Sequence, residues 1–102
     1  MLGYVIGDGD MVTGFRLVGL DGVEVTSSDQ AWQEINKALS RVDLAFIVIS
    51  EDFSSQPHMQ ETIDGARLEQ RNPLIIELPG SRGKKSQTRM SDLISKILGV
   101  KL

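Results

Sequence analysis

The sequence predicts a small doubly wound α/β domain: a four-stranded parallel sheet of receiver-like or Rossmann-like topology, with an amphipathic helix at the C-terminus. Three observations lead there. The apolar runs Leu2–Ile6, Leu44–Ile49 and Leu74–Leu78 have strand length and are continuous rather than alternating, as strands covered on both faces are. Helical patterns separate them, and such alternation closes into a parallel sheet through right-handed crossovers. The chain has 102 residues, 40% apolar and 25% charged, which suits one domain that folds without metal or disulfide.

Each element has its own signal. After the first strand, Asp10 is placed to cap a short helix carrying Met11, Phe15 and Val18, which Gly19 closes in a left-handed conformation. The short, half-polar Val23-Glu24-Val25 reads as an edge strand. Ser27 and Gln30 have capping-box spacing, and Trp32, Ile35 and Leu39 follow as one apolar stripe. Glu51–Gln56 reads as an irregular polar piece. Pro57 suits the first position of the next helix, whose stripe is Met59, Ile63 and Ala66 and which Asn72-Pro73 stops. The fourth strand ends at Pro79-Gly80. The last helix carries Met90, Leu93, Ile94, Ile97 and Leu98 on one face, and Gly99 ends it. The chain thus divides into an α/β domain over 1–80, a flexible basic loop over 81–87, and a helix with its tail over 88–102.

Composition excludes several function classes. Cysteine is absent, which removes disulfides and thiolate chemistry and suits the cytoplasm. His58 is the one histidine, so no His-rich metal site exists; beside Pro57 it reads as a surface residue. No run approaches the ~20 apolar residues of a membrane span, so direct membrane insertion is not expected. Net charge is −3, divided between an acidic body of −8 over residues 1–80 and a basic tail of +5 over residues 81–102. Such asymmetry suggests a tail with its own partner, or one that pairs with the acidic body. Five aromatics and a pI near 5.0 argue against nucleic acid.

Open parallel sheets bind ligands at the carboxyl ends of their strands. That places Gly7-Asp8-Gly9-Asp10, Ser50-Glu51-Asp52 and Pro79-Gly80 together. The first turn imitates nucleotide motifs and fails them. A dinucleotide fingerprint requires a third glycine where Val12 stands, and a Walker A loop requires lysine where Phe15 stands. Asp8 and Asp10 would repel phosphate at this helix start. A receiver would need a phosphorylatable Asp at the end of the third strand, which ends instead in Ile49-Ser50. No catalytic, cofactor-binding or metal-ligating set emerges. Gly14, inside a helix next to Phe15 and Arg16, costs about 1 kcal/mol against alanine and marks a close approach or a partner contact.

Val5-Ile6-Gly7-Asp8 followed by Thr13-Gly14-Phe15-Arg16-Leu17-Val18-Gly19 resembles the F subunit of the archaeal and bacterial V/A-type ATP synthases. Ile47-Val48-Ile49-Ser50-Glu51, Glu61-Thr62-Ile63-Asp64, Pro73-Leu74-Ile75-Ile76-Glu77-Leu78-Pro79-Gly80 and Ile97-Leu98-Gly99-Val100-Lys101-Leu102 continue the resemblance in the family's order. Phe53–Pro57 and the basic Arg82–Lys85 stretch depart from it. The resemblance implies a non-catalytic rotor component of the central stalk. Its partners would be the coiled-coil shaft, formed by the D subunit, and transiently the catalytic A/B head, and it would meet the membrane only through the complex. It also implies a C-terminal helix that packs along the shaft or retracts. Gly14, Phe15 and Arg16, with Met90, Leu93, Ile94 and Ile97, are the expected contacts. The alternative is a degenerate receiver-like signalling module without phosphoacceptor chemistry.

Overall fold

The computed structural model describes residues 2–69 and 73–80. The chain runs β1 (Leu2–Gly7), α1 (Gly9–Arg16), β2 (Asp21–Glu24), α2 (Ser28–Leu39), β3 (Leu44–Ser50), α3 (Glu51–Ser54), α4 (Pro57–Leu68) and β4 (Leu74–Leu78). All strand pairs are parallel, in the order β2-β1-β3-β4. The order reverses between β1 and β3, where Val5 pairs with Val48 and Ile6 with Ile49. The fold class is the one the apolar runs predict. Residues 81–102 lie outside the described residues, and with them the basic loop and the expected helix bearing Met90, Leu93, Ile94 and Ile97.

The period-two alternation of the strands sorts the core into two layers. Ile6, Ile47, Ile49 and Ile75 face one way and pack with Ala31, Ile35 and Ala38 of α2, Phe53 of α3, and Met59 and Ile63 of α4. Val5, Val48 and Leu78 face the other way, against Met11, Val12 and Phe15 of α1. Phe15 is fully buried there.

The caps differ in detail from the sequence reading. Asp8, not Asp10, caps α1: its Oδ1 accepts the Met11 N–H at 3.0 Å. β1 continues through Gly7 and the chain turns at once, so the cap falls two residues early and Asp10 lies exposed in the first turn. Gly19 has φ +93°, and the next N–H, from Leu20, reaches back to the Phe15 carbonyl at 3.1 Å. Ser27 Oγ accepts from Gln30 N–H as expected, but the Gln30 side chain reaches one residue further back, accepting from both N–H and hydroxyl of Thr26. The stretch after β3 is not irregular throughout: Glu51–Ser54 is one helical turn, capped by Ser50, that buries Phe53 and Ser54. At Gly22, in edge strand β2, a Cβ would come 2.7 Å from the Val5 carbonyl oxygen, so β1 and β2 pair only with glycine there.

One polar cluster is built into the otherwise apolar layer. Glu77 of β4 is on the side that faces α3 and α4, and its Oε1 accepts from Ser54 Oγ and Gln60 Nε2, both at 2.8 Å. Arg67 Nη1 stands 3.2 Å from the other oxygen, while its Nη2 donates to the Ile75 carbonyl. Burial by itself would push the Glu77 carboxyl up; the hydrogen bonds from Ser54 and Gln60 and the Arg67 guanidinium outweigh it and hold the carboxyl below the ordinary glutamate range.

Two predictions follow from this packing. Phe15→Ala lowers stability in urea by about 3–5 kcal/mol through cavity formation, whereas Arg16→Ala, at an exposed position, changes it by no more than about 0.5 kcal/mol. Because the folded-state pKa of Glu77 is depressed, its contribution is present above the ordinary glutamate range and disappears as pH falls through the folded value. Glu77→Gln therefore destabilises by about 1–2 kcal/mol at pH 7, and the gap to wild type narrows as unfolding is repeated at descending pH toward 3.

Candidate binding surfaces

The carboxyl ends of the strands gather the residues that the sequence places there, and two of them already cap helices. Asp8 is occupied with the start of α1, and Ser50 Oγ, fully buried, accepts the Asp52 N–H at 3.1 Å. Gly80 lies so close to this turn that a Cβ on it would sit 2.7 Å from the Ser50 hydroxyl. The Glu24 carboxylate flanks Gly9 at the mouth of α1. An anion approaching that helix start meets Asp8, Asp10 and Glu24 first. Among the described residues, no group of three or more His, Cys, Asp or Glu side chains converges as a metal site. Phe15, at the Walker-lysine position, points into the core.

The α1 surface divides the three residues singled out there. Phe15, one of the expected contacts, is fully buried between α1 and the strands. Gly14 is half-buried, and Arg16 is exposed. Leu17, which the sequence reading did not single out, is 84% exposed beside Arg16. Among the described residues Arg16 makes no ion pair. Its positive charge and the leucine form a small mixed patch at the end of α1.

The opposite face holds a second surface that sequence reasoning missed. Trp32 is assigned to the core by its place on the α2 stripe, yet it is 41% exposed. The buried line of α2 is Ala31, Ile35 and Ala38, which turns Trp32 to the margin of the layer. Its Nε1–H donates to Thr62 Oγ1 of α4 at 3.1 Å, and that hydroxyl in turn donates to the His58 carbonyl. The exposed His58 ring lies 6.1 Å from the indole, tilted by 58°. Thr62 also lines a groove of about 630 Å³ between α2 and α4, together with Leu39, Val42, Glu61, Ala66, Glu69 and Pro73. Nearby, Arg41 binds Asp43 at 3.0 and 2.8 Å and lies 5.4 Å over the Tyr4 ring. The hydrogen bond from Arg41 draws the Asp43 carboxyl down. Burial, then the charges of Glu34 and Asp21, push the Tyr4 phenol up despite Arg41. Among the described residues, no helix is long and apolar enough to cross a membrane.

Comparison with known proteins agrees with this architecture over nearly the whole chain. The family model for the ATP synthase (F/14-kDa) subunit matches residues 4–97. The F subunit of the A-type ATP synthase of Methanocaldococcus jannaschii is 34% identical over 100 residues, covering 96% of this chain and 95% of the relative. Its counterpart in Methanothermobacter thermautotrophicus is 33% identical over 96% of this chain and 92% of its own. The F subunit of the V-type ATP synthase of Clostridium botulinum is 29% identical over 96% and 93%. The crystal structure of the V-type ATP synthase F subunit from Archaeoglobus fulgidus superposes with a TM-score of 0.62 at 26% identity, covering 76% of this chain and 95% of that one. With the family model matched over residues 4–97 and relatives about one-third identical over 96% of its length, the chain belongs to the F-subunit family of the A/V-type ATP synthases.

Proposed function

We propose that this chain is a non-catalytic component of the central stalk of an A/V-type ATP synthase, and that it binds the coiled-coil shaft formed by the D subunit. In this reading it takes part in rotary coupling of ATP synthesis or hydrolysis to ion transport, touches the A/B head transiently, and reaches the membrane only as part of the complex. The observation that carries it is the family match over residues 4–97 on a carboxyl edge that offers no phosphate site. Asp8 already occupies the start of α1, and acidic side chains surround it. The exposed Arg16, with Gly14 beside it, is the shaft contact on the α/β domain, and Leu17 extends it. The stripe Met90, Leu93, Ile94 and Ile97 is the second contact, its apolar side chains worth roughly 1.5–3 kcal/mol each when fully buried.

Mixing the chain with a homologue of the coiled-coil D subunit tests the reading: the two co-elute from a sizing column as one complex. Arg16→Ala, with an unchanged circular dichroism spectrum, weakens that complex about tenfold, in line with the loss of an interfacial arginine. Leu93→Ser combined with Ile97→Ser weakens it further. Failure to co-elute overturns the shaft assignment, and wild-type affinity in Arg16→Ala removes the α1 patch from the interface. In isothermal titration, MgATP shows no binding tighter than millimolar, whereas a micromolar dissociation constant would contradict the absence of a phosphate site.

A further inference from the structure

The face formed by α2 and α4 combines features that point to a partner. Trp32 is a large aromatic group, 41% exposed, yet fixed: its indole N–H is satisfied by Thr62, and Thr62 is held by the His58 carbonyl. A ring whose polar atom is already paired offers apolar surface, and a ring already held in place loses little freedom on binding. The groove beside it continues to Leu39, Ala66 and Val42, and Val42 is fully exposed at 101%. Along α2, Trp32 and Leu39 are about 10 Å apart, two helical turns at 1.5 Å per residue. That length and the cleft between two helices suit an amphipathic helix with anchors at i and i+7.

Charge selects the kind of helix. Among the described residues the cation lining the groove is Arg41, and it is engaged with Asp43 at 2.8 Å. The exposed groove carboxylates Glu61 and Glu69 have no ion pair among the described residues. We infer that the α2–α4 groove docks a helix of a partner protein that carries Lys or Arg beside its apolar stripe. The basic residues pair with Glu61 and Glu69, and the apolar anchors lie on Trp32, Leu39 and Val42. A second copy of this chain fits poorly, because a two-fold pairing brings each acidic rim against its identical counterpart. The surface lies on the opposite side of the sheet from α1, so its occupation does not compete with a contact at Arg16.

Trp32 is the only tryptophan and reports on its own surface. The full chain is titrated with an 18-residue Leu/Lys amphipathic helix and, separately, with a Leu/Glu helix of the same pattern, following indole emission. The Leu/Lys helix produces a saturable blue shift that weakens with added salt, and the Leu/Glu helix produces none. Glu61→Gln with Glu69→Gln weakens binding about tenfold. The control pair Asp10→Asn with Glu24→Gln, which removes the same charge at the carboxyl edge, changes it less than twofold. These are exposed positions where neutralisation leaves folding within about 0.5 kcal/mol, checked by circular dichroism. The inference is overturned if no saturable shift occurs below millimolar peptide, or if the control pair weakens binding as much as the groove pair. It is equally overturned if the Leu/Glu helix binds as well, or if emission shifts with protein concentration alone, which would mark self-association.

Discussion

The fold rests on the burial of β3 on both faces. Ile47, Val48 and Ile49 are all fully buried, and consecutive strand residues point to opposite sides. Both sides of the sheet must therefore be covered, and a parallel strand can be reached only through a crossover long enough to hold a helix. α1 lies on one face and α2, α3 and α4 on the other because these three isoleucine and valine positions admit no water. Strand order and the placement of both candidate surfaces follow from that requirement.

The same requirement explains what could be read from the sequence. A continuous apolar run is a strong signal, so β1, β3 and β4 were legible with boundaries within one residue or so. Caps and short elements depend on where the chain turns, and a single residue moves them. β1 extends to Gly7, which shifts the cap from Asp10 to Asp8. Phe53 and Ser54 are buried by their position over β3 and β4 rather than by any pattern of their own, so α3 reads as loop. Trp32 shows the limit of helical periodicity: Trp32, Ile35 and Leu39 and the line Ala31, Ile35, Ala38 share a residue and differ by a small rotation. Small alanines against the sheet bring α2 close, and the bulky indole is left at the margin.

Function is less visible still, because it depends on which side chains the common scaffold presents. The sheet order matches folds that bind phosphate or nucleotide at the carboxyl edge. Here that edge is filled by its own caps, with Asp8 on α1 and Ser50 on α3. The half-buried Glu77 is satisfied by Ser54, Gln60 and Arg67 and ties α3 and α4 to the edge strand. Among the described residues, no buried side-chain polar atom lacks a partner. A molecule with its interior polar groups settled in this way has its chemistry on its surfaces, as one component of a larger assembly does.

The end of α1 sets a core residue directly beside exposed ones. α1 has eight residues, too few to be stable alone, so it depends on the Asp8 cap and on Phe15 in the core. Successive helical side chains diverge by about 100°. Phe15 therefore points at the sheet while Arg16, the next residue, and Leu17 after it point away. Phe15 anchors that turn between β1 and β3, the most deeply buried strands, and the exposed pair is held in place by it.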